Sequence, residues 1–85
     1  MQPEKIRQLS FKIIKYLNEK GIELSKMESG KINLILIDAF RTPIEPEEYA
    51  TIRIVDQLKN KPKIDTTQEK FITDIKTMIK TEINK

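Results

Sequence analysis

Three helix-breaking residues divide this 85-residue chain into four segments of similar length. Gly21, Pro43 and Pro62 stand between stretches that are rich in isoleucine, leucine and charged side chains. Proline ends a helix because it lacks a backbone N–H, and glycine readily adopts the left-handed conformation that closes a helix. The spacing of the three residues therefore predicts four short elements and leaves no room for a long one.

The first segment is an amphipathic helix by its spacing. Its apolar residues are Ile6, Leu9, Ile13 and Leu17, which fall on one stripe at about 100° per residue. The sequence predicts a helix over residues 3–20.

The second segment carries two candidate helix starts. Ser25 with Glu28 has the form of a capping box, whereas Gly30 weakens a helix that begins so early and favours a start after Ser29. The helix must end before Pro43, which biases the preceding residue away from helical geometry. The sequence predicts a helix over about 26–41.

The last two segments begin with recognisable start signals. Pro46 is followed by two glutamates, which suit the positive end of a helix, and predicts a helix over about 46–60. Thr66 lies three residues before a glutamate, as in a capping box, and predicts a fourth helix over 66–83.

Four helices joined by short turns predict an all-α fold, an antiparallel up-down four-helix bundle that forms one domain over residues 1–85. The alternative makes strands of 32–38 and 51–55, because isoleucine and valine favour sheets. Asn33 would then lie within a strand, and two strands alone form a marginal sheet. The all-α interpretation is favoured.

Composition argues against catalysis and metal binding. The chain contains no cysteine and no histidine, so the usual zinc ligands and the commonest general base are missing. Glu45, Glu47 and Glu48 are acids that a cation would favour, but a helix start accounts for them. We therefore expect a protein that is not an enzyme and that holds no metal or cofactor.

The segments also argue against export and membrane insertion. The N-terminus mixes charges of both signs, unlike a signal peptide, and no apolar run approaches the roughly 20 residues that span a bilayer. These features predict a cytoplasmic protein, with peripheral contact to a membrane left open.

The stretch "KINLILIDAF" is apolar on more than one side when drawn as a helix. Its core stripe leaves Leu34 and Ile37 on the opposite side, with Met27 above them. These three residues mark either a docking or homodimer surface, or a face that neighbouring helices partly cover. Phe11 presents the same choice, because it lies away from the first apolar stripe and beside Arg7.

The whole chain has a net charge of +3, and residues 1–20 alone also have a net charge of +3. The excess of basic residues therefore lies in the first helix. A second basic group follows the third helix, in the sequence "KNKPK". Either group could contact phosphate or simply be solvated. The candidate basic surface consists of Lys5, Arg7, Lys12, Lys15, Lys59, Lys61 and Lys63. A helix-turn-helix is not favoured, because the second helix is too apolar to read base edges.

Residues 47–79, "EEYATIRIVDQLKNKPKIDTTQEKFITDIKTMI", resemble the immunity proteins that protect lactic acid bacteria from pediocin-like (class IIa) bacteriocins. Those proteins are small, basic four-helix bundles. The matching third-helix core positions would be Ile52, Val55 and Leu58. The helix-4 cap would be Thr66, Gln68 and Glu69, and its stripe Phe71, Ile72, Ile75 and Ile79.

This resemblance implies a binding protein without catalysis. It would contact, from the cytoplasmic side, a membrane sugar-transporter complex that the bacteriocin has engaged. Members of the family commonly extend beyond helix 4, whereas here only two residues follow Ile83, so the resemblance assigns no specificity residue. The alternative, from another class, is a small phage- or plasmid-type regulator that binds nucleic acid or a transcription or defence protein.

Overall fold

The computed structural model describes residues 3–59, 61 and 69–84, and within these ranges it contains four helices and no strand. They are α1 (Pro3–Glu19), α2 (Lys26–Phe40), α3 (Pro46–Leu58) and α4 (Glu69–Ile83). The predicted all-α class is confirmed, and the strand alternative is wrong. Helices α1, α2 and α3 end one or two residues earlier than predicted, and the predicted fourth start at Thr66 lies outside the described residues.

The capping box decides where α2 begins. The Ser25 hydroxyl accepts a hydrogen bond from the backbone N–H of Glu28 at 3.2 Å, and the Glu28 carboxylate accepts one from the Ser25 N–H at 3.0 Å. The capping box therefore satisfies the backbone N–H groups of Ser25 and Glu28, and Gly30 lies inside the helix. The alternative start after Ser29 is wrong.

Two left-handed residues set the turns on either side of α2. Gly21 has φ 82°, and the N–H of the following Ile22 donates to the Leu17 carbonyl, as in a glycine-terminated helix end. Before α3, Glu45 has φ 48°, which is unusual for a residue with a side chain, and Pro46 then opens the helix. Both turns are short, so neighbouring helices stay in contact.

Side chains from all four helices meet in one apolar core. The large residues with no exposed surface are Leu9, Ile13, Leu17, Ile32, Leu36, Ile54, Leu58, Ile75 and Ile79. The core stripe that the resemblance assigned to α3 needs one correction. Ile52 is exposed, and its predecessor Thr51 is buried instead, with its hydroxyl donating to the Glu47 carbonyl at 2.6 Å.

The helices pack as a closed ring in which α1 contacts α2 and α4, and α3 contacts the same two helices. Along α1, Lys12 pairs with Glu82 and Tyr16 pairs with Asp74, so the chain numbers run in opposite directions across this seam. Helices α1 and α4 therefore run in opposite directions, as an antiparallel bundle requires. That all four helices alternate in direction stays a prediction. No helix in the described ranges is long and apolar enough to cross a membrane.

Candidate binding surfaces

The predicted docking strip of α2 is divided between two sides of the helix. Met27 and Leu34 are 72% and 60% exposed, whereas Ile37 is half-buried and packs against the core. Leu34 faces a groove toward α3, and Ile37 lines a separate groove toward α1. The prediction of a continuous strip is therefore replaced by two distinct surfaces.

The α2–α3 groove has a volume of about 890 Å³ and an apolar floor. Leu34 on α2 and Ile52 on α3 both line it, and Ile52 is 65% exposed. The other apolar lining residues are Ile35, Val55 and Ile72. Two large, exposed apolar side chains from adjacent helices are thus brought into one concave surface.

Sequence reasoning missed Ile52 because it treated the residue as core. The pattern of Ala50, Thr51, Ile54 and Leu58 forms an equally regular helical stripe, and the structure buries that one. Alanine and threonine are less strong indicators of a core position than isoleucine is, although both are small enough for a close contact between helices. Spacing alone therefore fits both stripes, and the packing of α3 against its neighbours decides which one is buried.

The rim of the α2–α3 groove carries both signs of charge. Lys59 forms an ion pair with Asp56 at 2.9 Å, and the Arg53 guanidinium lies 5.5 Å from the centre of the Tyr49 ring. Lys31 and Asp38 on α2 also line the groove, as does Asp56 on α3. A mixed rim around an apolar floor suits a protein segment better than a polyanion.

The outer face of α1 exposes one aromatic residue among basic ones. Phe11 is 73% exposed, so the interpretation that a neighbouring helix covers it is wrong. Arg7 and Lys15 lie one helical turn before and after it, and both are exposed. This face is the one place in the described chain where an exposed aromatic ring is bracketed by two basic residues.

Three of the candidate basic residues are held in ion pairs and are not a free positive surface. Lys12 pairs with Glu82 at 2.5 Å, Lys59 pairs with Asp56, and Lys61 contacts Glu28 at 2.7 Å. A fourth candidate, Lys63, lies outside the described residues. Within the described ranges, the candidates with no ion pair are all on α1: Lys5, Arg7 and Lys15.

Lys61 clamps the end of the third helical segment to the start of the second helix. Its ammonium donates to the Glu28 carboxylate at 2.9 Å and to the Glu23 backbone carbonyl at 3.3 Å. The hydrogen bond from Lys61, and then that from the Ser25 backbone, lower the pKa of Glu28 to about 2. Lys61 therefore has a structural role in this fold.

The α1–α4 seam is closed by polar and aromatic contacts. The Tyr16 hydroxyl donates to Asp74 at 2.9 Å, and the Tyr16 ring stacks on Phe71 with centroids 6.1 Å apart. Burial, and then the hydrogen bond to Asp74, raise the pKa of Tyr16 from 10.0 to about 12, so the phenol keeps its proton further into the alkaline range. This tyrosine stabilises the seam and is not poised as a base.

The described residues contain no group of three or more acids, histidines or cysteines arranged to hold a metal ion. At the start of α3, the Glu48 carboxylate forms an ion pair with Lys76 on α4. Glu47 accepts the Thr51 hydroxyl through its backbone carbonyl and not through its carboxylate. The Glu48 side chain therefore takes part in the packing of α3 against α4.

A second groove lies between the start of α1 and the end of α2 and has a volume of about 460 Å³. The apolar residues that line this α1–α2 groove are Pro3, Ile6, Ile37 and Phe40. Its polar lining consists of Asn33, Arg7 and Arg41. The groove thus places two arginines beside an apolar floor.

Comparison of the chain with protein-family models, with curated proteins and with solved structures finds no match. The two grooves and the outer face of α1 are the surfaces that bear on its function.

Proposed function

We propose that this protein is a non-enzymatic helical binding protein that docks an amphipathic helix of a protein partner in the α2–α3 groove. The single observation that carries the proposal is the pairing of Leu34 and Ile52. Each is more than half exposed, and they come from different helices to line the same groove.

The groove has the character of a helix-binding surface. Helix-in-groove recognition places an apolar stripe of the ligand against an apolar floor, with polar contacts at the edges. Here Leu34, Ile52 and Val55 supply the floor, and Lys31 and Asp38 contribute opposite charges to the rim. Leu34 and Ile52 are already partly covered, so burying their remaining exposed surface would contribute about 1–2 kcal/mol each.

The more specific form of the proposal is bacteriocin immunity. The resemblance over 47–79 implies it, and a small, basic, four-helix chain is compatible with it. In this form the partner is a receptor complex at the cytoplasmic face of the membrane. The apolar groove supplies the contact and the basic α1 faces the negatively charged membrane surface.

The test compares partner recovery by three forms of the chain after mild cross-linking in the native host. The test variant combines Leu34→Asp with Ile52→Asp, and the matched control combines Met27→Asp with Ile44→Asp, neither of which lines this groove. All four residues are exposed and both variants gain two acids, so net charge and lost apolar area are balanced. Circular dichroism checks that both variants keep their helices.

We expect the test variant to lose at least about tenfold in recovery of a defined partner protein, since two central apolar contacts are replaced by charges. The control is expected to recover the partner as the wild type does. Equal recovery by both variants would reject the groove as the docking site. Light scattering on the purified forms would reveal whether the partner is a second copy of this chain.

The immunity form has its own test. A bacteriocin-sensitive lactic acid bacterium that expresses the wild-type chain is expected to survive a pediocin-like bacteriocin, and the Leu34→Asp/Ile52→Asp variant is expected to remain sensitive. Failure of the wild type to protect against a panel of such bacteriocins would remove the immunity identity while leaving the docking experiment intact.

A second candidate function is nucleic-acid binding through α1, favoured by the exposed Phe11 between Arg7 and Lys15. An aromatic ring can stack on a base while basic side chains contact phosphates. Affinity for single-stranded oligonucleotides should then fall steeply with salt, and Phe11→Ala should weaken it. Absence of binding at low salt would reject this candidate.

A further inference from the structure

The α1–α2 groove combines a small apolar floor with two positive charges. Ile6, Ile37 and Phe40 line it with partly or largely covered apolar surface, while Arg7 and Arg41 line the same groove and are exposed to solvent. Its volume of about 460 Å³ lies within the range of roughly 300–1,000 Å³ that is typical of small-molecule sites. It is separate from the α2–α3 groove, since no residue lines both.

The two arginines have no ion-pair partner among the described residues. Acids are available one turn before each of them, Glu4 on α1 and Asp38 on α2, yet the structure pairs neither arginine with its neighbour. Arg7 and Arg41 both line this groove, so an anion placed there would be attracted to two positive charges. The charge pattern therefore favours a negatively charged ligand.

We propose that the α1–α2 groove binds a small amphiphile, a single carboxylate on a short apolar tail. The guanidinium groups of Arg7 and Arg41 hold the carboxylate, because arginine presents a planar fork of donors that matches its two oxygens. The tail lies on Ile37 and Phe40, and the Asn33 amide supplies a further polar contact at the groove.

Both halves of the ligand are required by the site. A bare anion would leave the apolar floor in water, and an uncharged tail would leave the arginines unneutralised. The arginines are exposed, so each ionic contact is partly screened and the carboxylate alone holds the ligand weakly. The site should therefore select a ligand that carries both a carboxylate and a tail.

The experiment is an NMR titration of the full-length protein with three probes: decanoate below its micelle-forming concentration, decanol below its solubility limit, and acetate. Decanoate is expected to shift backbone signals at the start of α1 and at the end of α2, around Ile6 and Phe40. Decanol lacks the charge and acetate lacks the tail, so each should bind at least about tenfold more weakly.

Variants locate the contact. Arg7→Gln and Arg41→Gln should each weaken decanoate binding by about twofold to fivefold, as expected for loss of a solvent-exposed ionic contact. Arg53→Gln on α3 is the matched control, because Arg53 lies over the Tyr49 ring and does not line this groove. All three positions are exposed, so each variant should keep its fold.

Three results would overturn the proposal: equal binding of decanoate and decanol, equal binding of decanoate and acetate, or the same loss in the Arg53→Gln control. The result of the decanoate titration can be distinguished from the result of the partner-docking experiment. The Leu34→Asp/Ile52→Asp variant alters the other groove and should bind decanoate as the wild type does.

Discussion

The α1–α4 seam and the α2–α3 groove are both formed between neighbouring helices but differ in how their edges are closed. Along the seam, Lys12 pairs with Glu82, and Tyr16 both donates to Asp74 and stacks on Phe71. The groove between α2 and α3 instead leaves large apolar side chains exposed on both helices.

The difference separates residues that stabilise the fold from residues that remain available for binding. The specific polar contacts of the seam hold its two helices in register, and they cover the edge of the core. Leu34 and Ile52 in the groove contribute little to the core, so their apolar character is not explained by folding alone. Four predictions test this contrast.

The largest expected effect distinguishes two leucines on the same helix. Leu36 is fully buried, so Leu36→Ala should lower the free energy of unfolding by about 2–5 kcal/mol through lost burial and a cavity. Leu34→Ala should change it by no more than about 0.5 kcal/mol, because Leu34 already faces solvent. Urea denaturation measures both, and equal losses would show that Leu34 is covered in solution.

The next effect concerns the ion pair of the seam. Lys12→Ala removes an ammonium from the buried carboxylate of Glu82 and should cost about 1–3 kcal/mol. This is less than for a fully buried pair, because the Lys12 side chain is half exposed. Lys15→Ala on the outer face is the control and should be nearly neutral. Denaturation of both variants at low and high salt measures the difference in their unfolding free energies. Equally small losses of stability in Lys12→Ala and Lys15→Ala would mean that the Lys12–Glu82 pair is not formed.

A smaller effect is expected for the phenol of Tyr16. Tyr16→Phe keeps the ring on Phe71 but removes the hydrogen bond to Asp74, which should cost about 0.5–1.5 kcal/mol. Folding raises the tyrosine pKa from 10.0 to about 12, so the folded state binds the phenolic proton more tightly. The contribution is therefore fully present below pH 10 and is lost as the pH rises toward 12.

The measurement is the difference in unfolding free energy between the wild type and Tyr16→Phe from pH 8 to the highest pH at which both remain folded. Subtracting one from the other removes the lysine titrations that the two proteins share. A difference that stays constant above pH 10 would contradict the raised pKa.

The smallest effect is the pH dependence at Glu28. Its pKa is lowered from 4.5 to about 2 in the folded protein, so its contribution is present above pH 4.5 and is lost as the pH falls toward 2. Glu28→Gln should remove this dependence, and Glu23→Gln, whose side chain is exposed, serves as the control. Thermal unfolding between pH 2 and 6 tests it; parallel curves for the wild type and Glu28→Gln would contradict the prediction.

Local signals in the sequence predicted much of the fold. Helix boundaries were predicted correctly at Gly21, at the capping box of Ser25 and at Pro46. These signals act through backbone conformation and nearby hydrogen bonds, so they need no contact with a distant part of the chain. The spacing of Leu9, Ile13 and Leu17 likewise identified the buried side of α1. The prediction at Thr66 lies outside the described residues.

The candidate surfaces were harder to predict. The exposure of Leu34 was one of two open interpretations, and Ile37 was placed with it although the structure assigns the two to different grooves. Ile52 was expected in the core and is exposed. Lys61 was a candidate for a basic surface, with plain solvation as the alternative, and the structure holds it against Glu28. Each outcome depends on how a helix is rotated against its neighbours, which the helix's own pattern does not specify when it is apolar on several sides.

The sequence by itself determined where the helices lie, because caps, breakers and periodicity act within a few residues. Only the tertiary structure decided which side of α2 and α3 is buried, which lysines have partners across the bundle, and that Arg7 and Arg41 line one groove. The physical reason is that burial and ion pairing are properties of residues distant in the chain. Lys12 and Glu82 are 70 positions apart, and no local pattern in either segment indicates that they meet.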